Sequence, residues 1–520
     1  MTTTQPRPNG GRSVWAILTA VSALLLLLFF GFKVIRFQAL YYTYNDMYIF
    51  LQASSSWMDG RPLLYENIWG YDNRIHNNYA MLLWGPLIYS WGAYGAFLAQ
   101  FLLFLTSYGL LFRQLSRQLP AWVSWTLLAV MLLGPVWFWF NEHPGIGWHP
   151  ELMYLPLSIL FLLALHGVHR NRRYTGWFLL TAALIVLVKE DGALLGGCLH
   201  LSYRCLQYLR SNPNKSVFGI VTTRQFWLIA VGWALVFCAG MLWLSYQNRS
   251  LEPEPRLQQA LTAIAQGIRQ KAFIRWNLTV LVHTILLLVP GFLLLVFFLW
   301  LTGFRQAGSL VLVFIVAQVL VLVSNWVQAS TYYGTNPYYY LVSLTWPPRF
   351  VLMYALAVCY LVGMLLVFGP RLRPARGRVV AGVTGVLFLV QVPIVHLARP
   401  DFHFPTVLHD AFAYRYDPVK LPLLPESDVT VIRRLVAALP PRSNVYVFDY
   451  LIPFFHQHYN IWPTGNHWEE ADLAIIPNDD FQKLTEKMPM KQPYRTVRLR
   501  TYTIHVTPAF EPYLNQSLRP

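Results

Sequence analysis

Charged residues are scarce in this 520-residue chain. Asp, Glu, Lys and Arg make up 12% of it, against roughly 25% in soluble domains. Hydrophobic types account for 56% of the residues, and the mean hydropathy is +0.40. This balance excludes a cytosolic enzyme and a disordered protein. The sequence therefore predicts an integral membrane protein.

Cysteine is also rare, and its placement excludes two further classes. Cys198, Cys205, Cys238 and Cys359 all fall inside apolar runs, and no two of them form a CxxC pair. Neither a zinc site nor a disulfide framework is therefore indicated. The chain also lacks internal repeats and low-complexity tracts, so a repeat architecture is not indicated.

Long apolar runs dominate what is present. A helix needs roughly 20 apolar residues to cross a bilayer, and eleven candidate spans meet or approach that length. The run at 79–112 is long enough to be tilted, broken or preceded by an interfacial piece. The eleven spans are 14–34, 79–112, 120–140, 151–168, 174–188, 192–209, 225–246, 278–302, 308–326, 350–369 and 379–397.

The positive charges predict the orientation of these spans, because Lys and Arg accumulate in cytoplasmic loops. A cytoplasmic N-terminus places sixteen Lys and Arg residues and no acid on the inner face. All ten acids that precede residue 398 then lie in external loops. This distribution accounts for the net charge of +17 without a nucleic-acid partner.

The last quarter of the chain has a different character. Acids and bases are balanced there, and short apolar stretches at 444–448 and 473–476 indicate strands, while 429–439 indicates an amphipathic helix. We therefore predict an α-helical polytopic domain at 1–397 with a first external loop at 35–78. A small α/β domain follows at 398–520, and an odd number of spans places it on the outer, extracytoplasmic face; an even number would place it in the cytoplasm.

Asp46 is the first polar residue that needs a functional account. It follows the first span among aromatic residues typical of a membrane interface. Such a carboxylate could act as a general base on an acceptor hydroxyl or bind a metal. A helix N-cap or an ion pair with Arg61 or Arg74 would be a purely structural role. His76 lies at the far end of the same loop, also close to the membrane.

The densest titratable cluster of the membrane domain lies at 141–151. It contains Glu142, His143, His149 and Glu151, which suit a divalent metal, a phosphate group or proton transfer. The alternative is a turn shaped by Pro and Gly whose polar groups meet water.

Lys189, Glu190 and Asp191 are three consecutive charges between two apolar runs. Charges this close to hydrocarbon usually face a cavity or pair with one another. Lys189 could hold a phosphate while Glu190 positions it or a sugar; the alternative is a tight turn with snorkelling side chains. Arg349, at a predicted helix start, is a further phosphate-binding candidate.

All these clusters fall on the predicted outer face. A channel or an ion-coupled transporter would more often place ionisable groups near the middle of the membrane. The pattern favours a site at the outer interface, served by a substrate that sits in the membrane.

Several of these segments also carry a family resemblance. They are 45–52 with Trp57 and Arg61, 76–86, 148–151, 188–191, 324–325 with the Tyr-rich loop that follows, and 445–458. In this order they resemble motifs of the uncharacterised bacterial membrane proteins called the DUF2079 family. Leu51 departs from the pattern, because that family often has a second Asp there.

The DUF2079 family is similar to the GT-C glycosyltransferases, which use polyprenyl-phosphate sugars and a carboxylate in the first external loop. The resemblance implies a GT-C-like enzyme of the bacterial inner membrane that transfers a sugar to an envelope acceptor with inversion. Asp46 would be the base, and Lys189, Arg349, His76 or His149 would stabilise the leaving phosphate. Glu142, Glu151 and Glu190 would orient sugar hydroxyls or a divalent metal, for which Asp46, His149 and Glu151 are candidate ligands. No nucleotide or redox cofactor is expected.

Two alternatives remain open from the sequence. One is a non-catalytic transporter or lipid-binding protein on the same fold. The other is a structural membrane protein whose outer domain docks a partner.

Overall fold

The computed structural model describes residues 11–38, 42, 45–67, 70–71, 76–119, 124–125, 127–128, 131–132, 147–248, 258, 262, 265, 307–333, 347–369, 425–447, 451, 455, 459–462, 470–478 and 494–519. The predicted boundary at 397/398 lies outside these residues, as do the predicted spans at 278–302 and 379–397.

Most of the described membrane region is helical, as its apolar composition requires, because only internally bonded backbone is stable in lipid. Helices end where the apolar runs end, and one apolar helix stops where Lys189 adopts an extended conformation. The helices are α1 (Gly11–Gln38), α2 (Asn45–Ser55), α3 (Gly85–Trp91), α4 (Ala93–Leu115), α5 (Tyr154–Val168), α6 (Thr175–Val188), α7 (Gly192–Ser211), α8 (Phe218–Val221), α9 (Arg224–Asn248), α10 (Ala307–Tyr333) and α11 (Pro347–Phe368).

Five of the described helices are long and apolar enough to cross a membrane. They are Ser13–Gln38, Ala93–Leu115, Pro150–Val168, Arg224–Gln247 and Val351–Phe368, and each matches a predicted span. The predicted spans at 174–188 and 192–209 are the helices α6 and α7, which fall outside this group. The total of eleven spans and the side of the membrane on which each loop lies stay predictions.

The long run at 79–112 is broken rather than continuous. A 3-10 helix (Tyr79–Trp84) leads into α3, and α4 begins after Gly92. Gly92 has φ of 55°, a conformation that residues with a Cβ rarely adopt. The chain therefore turns at Gly92.

The helices pack into one bundle. α1 packs on α4, α4 on α5, and α11 on both α5 and α7, while α9 packs on α7. α5 and α11 are almost entirely buried, whereas α9 is exposed along nearly its whole length. Because the exposed side chains of α9 are largely Leu, Val and Trp, this helix presents the surface that suits lipid.

The C-terminal region forms a five-stranded mixed sheet. Its order is β4-β3-β5-β7-β6, with β3 parallel to β4 and β5, and β7 antiparallel to β5 and β6. The strands are β3 (Asn444–Val447), β4 (Asn460–Trp462), β5 (Leu473–Pro477), β6 (Arg495–Arg498) and β7 (Tyr502–Val506), and the helices α12 (Glu426–Ala438) and α13 (Glu511–Ser517) accompany them. The predicted helix at 429–439 and the strands at 444–448 and 473–476 correspond to α12, β3 and β5.

The sheet contacts the first loop of the membrane region. A two-stranded ribbon, β1 (Tyr65–Glu66) with β2 (Gly70–Tyr71), follows α2 in that loop. Tyr48 of α2 is fully buried within the apolar core of the sheet. Because α2 meets the sheet, the sheet and the first loop lie at the same end of the helical bundle.

Candidate functional site

Six titratable side chains from distant parts of the sequence meet at that end of the bundle. We call them the charge cluster: His76, His149, Glu151, Lys189, Glu190 and Asp191. Apart from His76, each is at most 7% exposed. Ionised groups are costly to bury unless they are paired, so their mutual contacts decide what the cluster can do.

Lys189 and Glu151 form the central ion pair. Lys189 Nζ lies 3.1 Å from Glu151 Oε1, and His149 Nδ1 contacts Glu151 Oε2. The extended backbone at Lys189 after α6 and the 3-10 helix Pro150–Met153 before α5 bring the two charges together. A phosphate that binds Lys189 would therefore have to compete with Glu151.

Glu190 contacts His76 and the Asn77 backbone at the end of the first loop. His76 Nδ1 lies 2.8 Å from Glu190 Oε1, and the Asn77 backbone N–H donates to Glu190 Oε2 at 3.3 Å. Burial alone would raise the pKa of Glu190, but the attraction of His76 and Lys189 outweighs it and lowers this pKa to about 2. Glu190 is thus an ionised carboxylate at neutral pH, which ties the end of the first loop to the turn before α7.

Asp191 behaves differently from its neighbour. Tyr154 donates a hydrogen bond to Asp191 Oδ1, and the carboxylate is 1% exposed. Burial raises the pKa of Asp191 to about 6, against the opposing attraction of Lys189. Of the two adjacent carboxyls, Asp191 is therefore the one that takes up a proton first as pH falls.

The first-loop helix α2 packs on this cluster. The Phe50 ring lies edge-on to the His149 ring, with centroids 4.4 Å apart, and Met47 abuts Gly147. Position 46 lies inside the first turn of α2, one helical turn before Phe50, so it is not the residue that precedes the helix. The structure does not describe the side chain of Asp46.

Gly147 allows this close approach. Its φ is +54°, and a Cβ built there would lie 2.5 Å from Met47 Sδ and 3.1 Å from Tyr42 Cγ. The 147–149 segment can therefore rest on α2 only because residue 147 has no side chain.

We expect Gly147→Ala to destabilise the protein by about 2–4 kcal/mol, which combines the cost of positive φ with that of overpacking. The measurement is unfolding of the purified protein by a denaturing detergent. Gly232→Ala is the matched control, because a Cβ there meets nothing within 4 Å. Equal stability of the two variants would show that 147 does not hold α2 in place.

The sequence analysis missed two buried cations near the end of α1. Lys33 and Arg36 in the last turns of α1 are 0% and 4% exposed. Lys33 Nζ lies 5.4 Å from the ring centroids of both Tyr42 and Phe97. The available signal was a pair of cations at the end of an apolar run. Lys33 adds positive charge beside Tyr42, four residues before Asp46 in the chain.

Several predicted site residues cannot be placed. Glu142 and His143 lie outside the described residues, and only the backbone of Arg349, near the start of α11, is described. Among the described residues, no three His, Cys, Asp or Glu side chains are grouped to hold a metal. The Lys189 ammonium beside Glu151 also opposes a divalent ion at that carboxylate. The candidate metal ligands Asp46, His149 and Glu151 stay a prediction.

No family model matches the chain, and no curated protein matches it. One of the solved structures that resemble it is ArnT from Cupriavidus metallidurans bound to undecaprenyl phosphate. The two share 12% sequence identity over 96% of this chain and 98% of that chain, with a TM-score of 0.47. A similarity at this level assigns no role to this chain, and the resemblance to the DUF2079 family stays a prediction.

Proposed function

We propose that this protein is a membrane glycosyltransferase. It transfers a sugar from a polyprenyl-phosphate donor to an envelope acceptor at the outer face of a bacterial inner membrane, with Asp46 as general base. One observation supports the proposal most: the helix that carries Asp46 packs, through Phe50 and His149, on a buried charge cluster at one end of an apolar helical bundle.

The reaction needs a base, an electrophile and a leaving group. The carboxylate of Asp46 takes the proton of an acceptor hydroxyl while that oxygen attacks the anomeric carbon of the donor. The bond from the anomeric carbon to the phosphate oxygen breaks, and the configuration inverts. The polyprenyl phosphate departs with the bonding electrons, so negative charge grows on its oxygen.

Positive groups near this oxygen would stabilise the transition state. The candidates are Lys33, which lies beside Tyr42, and Arg36, which is buried near the same end of α1; Arg349 remains a candidate from the sequence. His76 is the most exposed member of the charge cluster, with a side chain 15% exposed, and could donate a hydrogen bond to the phosphate. Glu151 and Glu190 are already paired within the charge cluster. Their proposed role is therefore to hold Lys189 and His76 in position.

Lipid co-purification tests this function directly. We expect gentle detergent extraction to retain a polyprenyl phosphate or its glycosylated form, detectable by mass spectrometry. The glycosylated form should accumulate in Asp46→Asn, because binding survives while transfer stops. Asp59→Asn, the same change elsewhere in the first loop, is the control and should match wild type. Bulk phospholipid alone in all three proteins would contradict the proposal and favour a transporter or a partner-docking protein.

A further inference from the structure

The helix α2 has two faces with different partners. Tyr48 and Gln52, four residues apart, face the C-terminal sheet, whereas Met47 and Phe50, three residues apart, face the 147–149 segment. Residues at these spacings lie on a common face of a helix. α2 therefore stands between the sheet and the charge cluster.

Asn67 pairs with the edge strand β4 as another strand would. Its Nδ2 donates to the Ile461 carbonyl at 2.6 Å, and the Ile461 N–H donates back to Asn67 Oδ1 at 3.3 Å. An exposed strand edge leaves backbone groups open to pairing. Here one carboxamide of the first loop satisfies both backbone groups of the central residue of β4.

Two side chains of α2, those of Tyr48 and Gln52, meet Asn67 at the Tyr459 carbonyl. We call Tyr48, Gln52, Asn67 and Tyr459 the junction. The Tyr48 hydroxyl lies 2.5 Å from the Tyr459 carbonyl and 2.7 Å from Asn67 Oδ1. Gln52 Nε2 donates to the same carbonyl at 3.0 Å, and Gln52 Oε1 accepts from the Asn67 backbone N–H at 2.7 Å. The four residues of the junction therefore form one connected network of hydrogen bonds.

The junction continues into the sheet domain. The Tyr459 hydroxyl donates to the Val436 carbonyl of α12 at 2.6 Å. Tyr48, Gln52, Asn67 and Tyr459 are between 0% and 7% exposed. Hydrogen bonds in such a buried, fully partnered network are strong and directional, so they define where α2 lies relative to the sheet.

We propose that the C-terminal sheet positions the first-loop helix through this junction, with Tyr48 and Asn67 as its positioning residues. The sheet sets the placement of α2, and the opposite face of α2 sets position 46 against the charge cluster. The catalytic part of this inference rests on the function proposed above. It assigns the outer domain an intramolecular role in the reaction, where the sequence alone left partner docking open.

The test compares three variants of the full chain in nanodiscs. Tyr48→Phe removes one hydroxyl and leaves Gln52 to donate to Tyr459, so the fold should survive. Asn67→Ala removes the pairing with β4. Arg442→Gln is the matched control: Arg442 donates to the Asp59 carbonyl at 2.6 Å, so it joins the same two regions without touching α2.

Hydrogen exchange measures the placement of the helix. We expect Tyr48→Phe and Asn67→Ala to accelerate amide exchange about tenfold in 45–55 and also in 147–151, as local opening becomes easier. Arg442→Gln should leave both segments unchanged. If amides in 147–151 exchange at the wild-type rate in both Tyr48→Phe and Asn67→Ala, the inference is overturned, whatever the turnover of these variants.

Kinetics separate positioning from mere stability. With the glycosylated polyprenyl phosphate recovered from Asp46→Asn as donor, we expect kcat of Tyr48→Phe to fall about tenfold. KM for the donor should stay within about twofold of the wild-type value, because the variant changes the alignment of the reacting groups and leaves donor binding intact. Faster exchange with unchanged kcat would overturn the catalytic part. Full transfer by Asp46→Asn would instead remove Asp46 as the general base of the proposed function, while the exchange result would still decide the role of the sheet.

Discussion

Asp46→Asn is expected to lower the rate of sugar transfer by about a thousandfold, within the range that a general base contributes. Asparagine keeps the size of the side chain but cannot take a proton. The fold should persist, because Met47, Tyr48 and Phe50 supply the packing of α2. The measurement is transfer from the co-purified donor in liposomes, with the product identified by mass spectrometry.

The same assay should find wild-type turnover in Asp59→Asn, which changes a carboxylate in the 3-10 helix that follows α2. This control separates the chemistry of position 46 from a general loss of negative charge in the first loop. Retained turnover in Asp46→Asn would remove this residue as the base.

Lys189→Met is expected to cost about 3–5 kcal/mol of unfolding free energy, the loss typical of breaking a buried ion pair. The substitution leaves Glu151 buried and ionised, with His149 as its neighbour. Methionine retains most of the volume of the lysine stem, so the loss reports charge rather than a cavity. Unfolding in a denaturing detergent, followed by tryptophan fluorescence, measures it.

A second substitution identifies the cause of that loss. Combining Lys189→Met with Glu151→Gln removes both charges of the pair, and part of the stability should return because Glu151 no longer leaves an unpaired ion, whereas Glu190 and Asp191 still lack the attraction of Lys189. Lys215→Met changes an exposed lysine and should alter stability by no more than about 0.5 kcal/mol. A loss below about 1 kcal/mol in Lys189→Met would show that water reaches Glu151 and that the pair is not a buried one.

The candidate site was only partly predictable. The sequence singled out Lys189 because charges next to long apolar runs are costly, and His149 and Glu151 because they belong to the densest titratable cluster of the membrane domain. It offered Lys189 as a phosphate ligand, whereas the structure pairs it with Glu151 at 3.1 Å. Tyr48 and Asn67 gave no signal, since a tyrosine and an asparagine in a polar, aromatic loop are unremarkable until the Tyr459 carbonyl lies beside them.

The sequence by itself determined the class of this protein and the kind of its local elements. Sparse charge and long apolar runs require helices in a membrane, and alternating apolar residues after 440 indicate strands, because both patterns depend only on neighbours along the chain. The tertiary structure alone decided which segments meet. His76, Glu151 and Glu190 come from three segments, and Asn67 and Ile461 are 394 residues apart. Such contacts depend on how helices pack and where the chain turns back, as at Gly92 and Gly147, and no local periodicity encodes that packing.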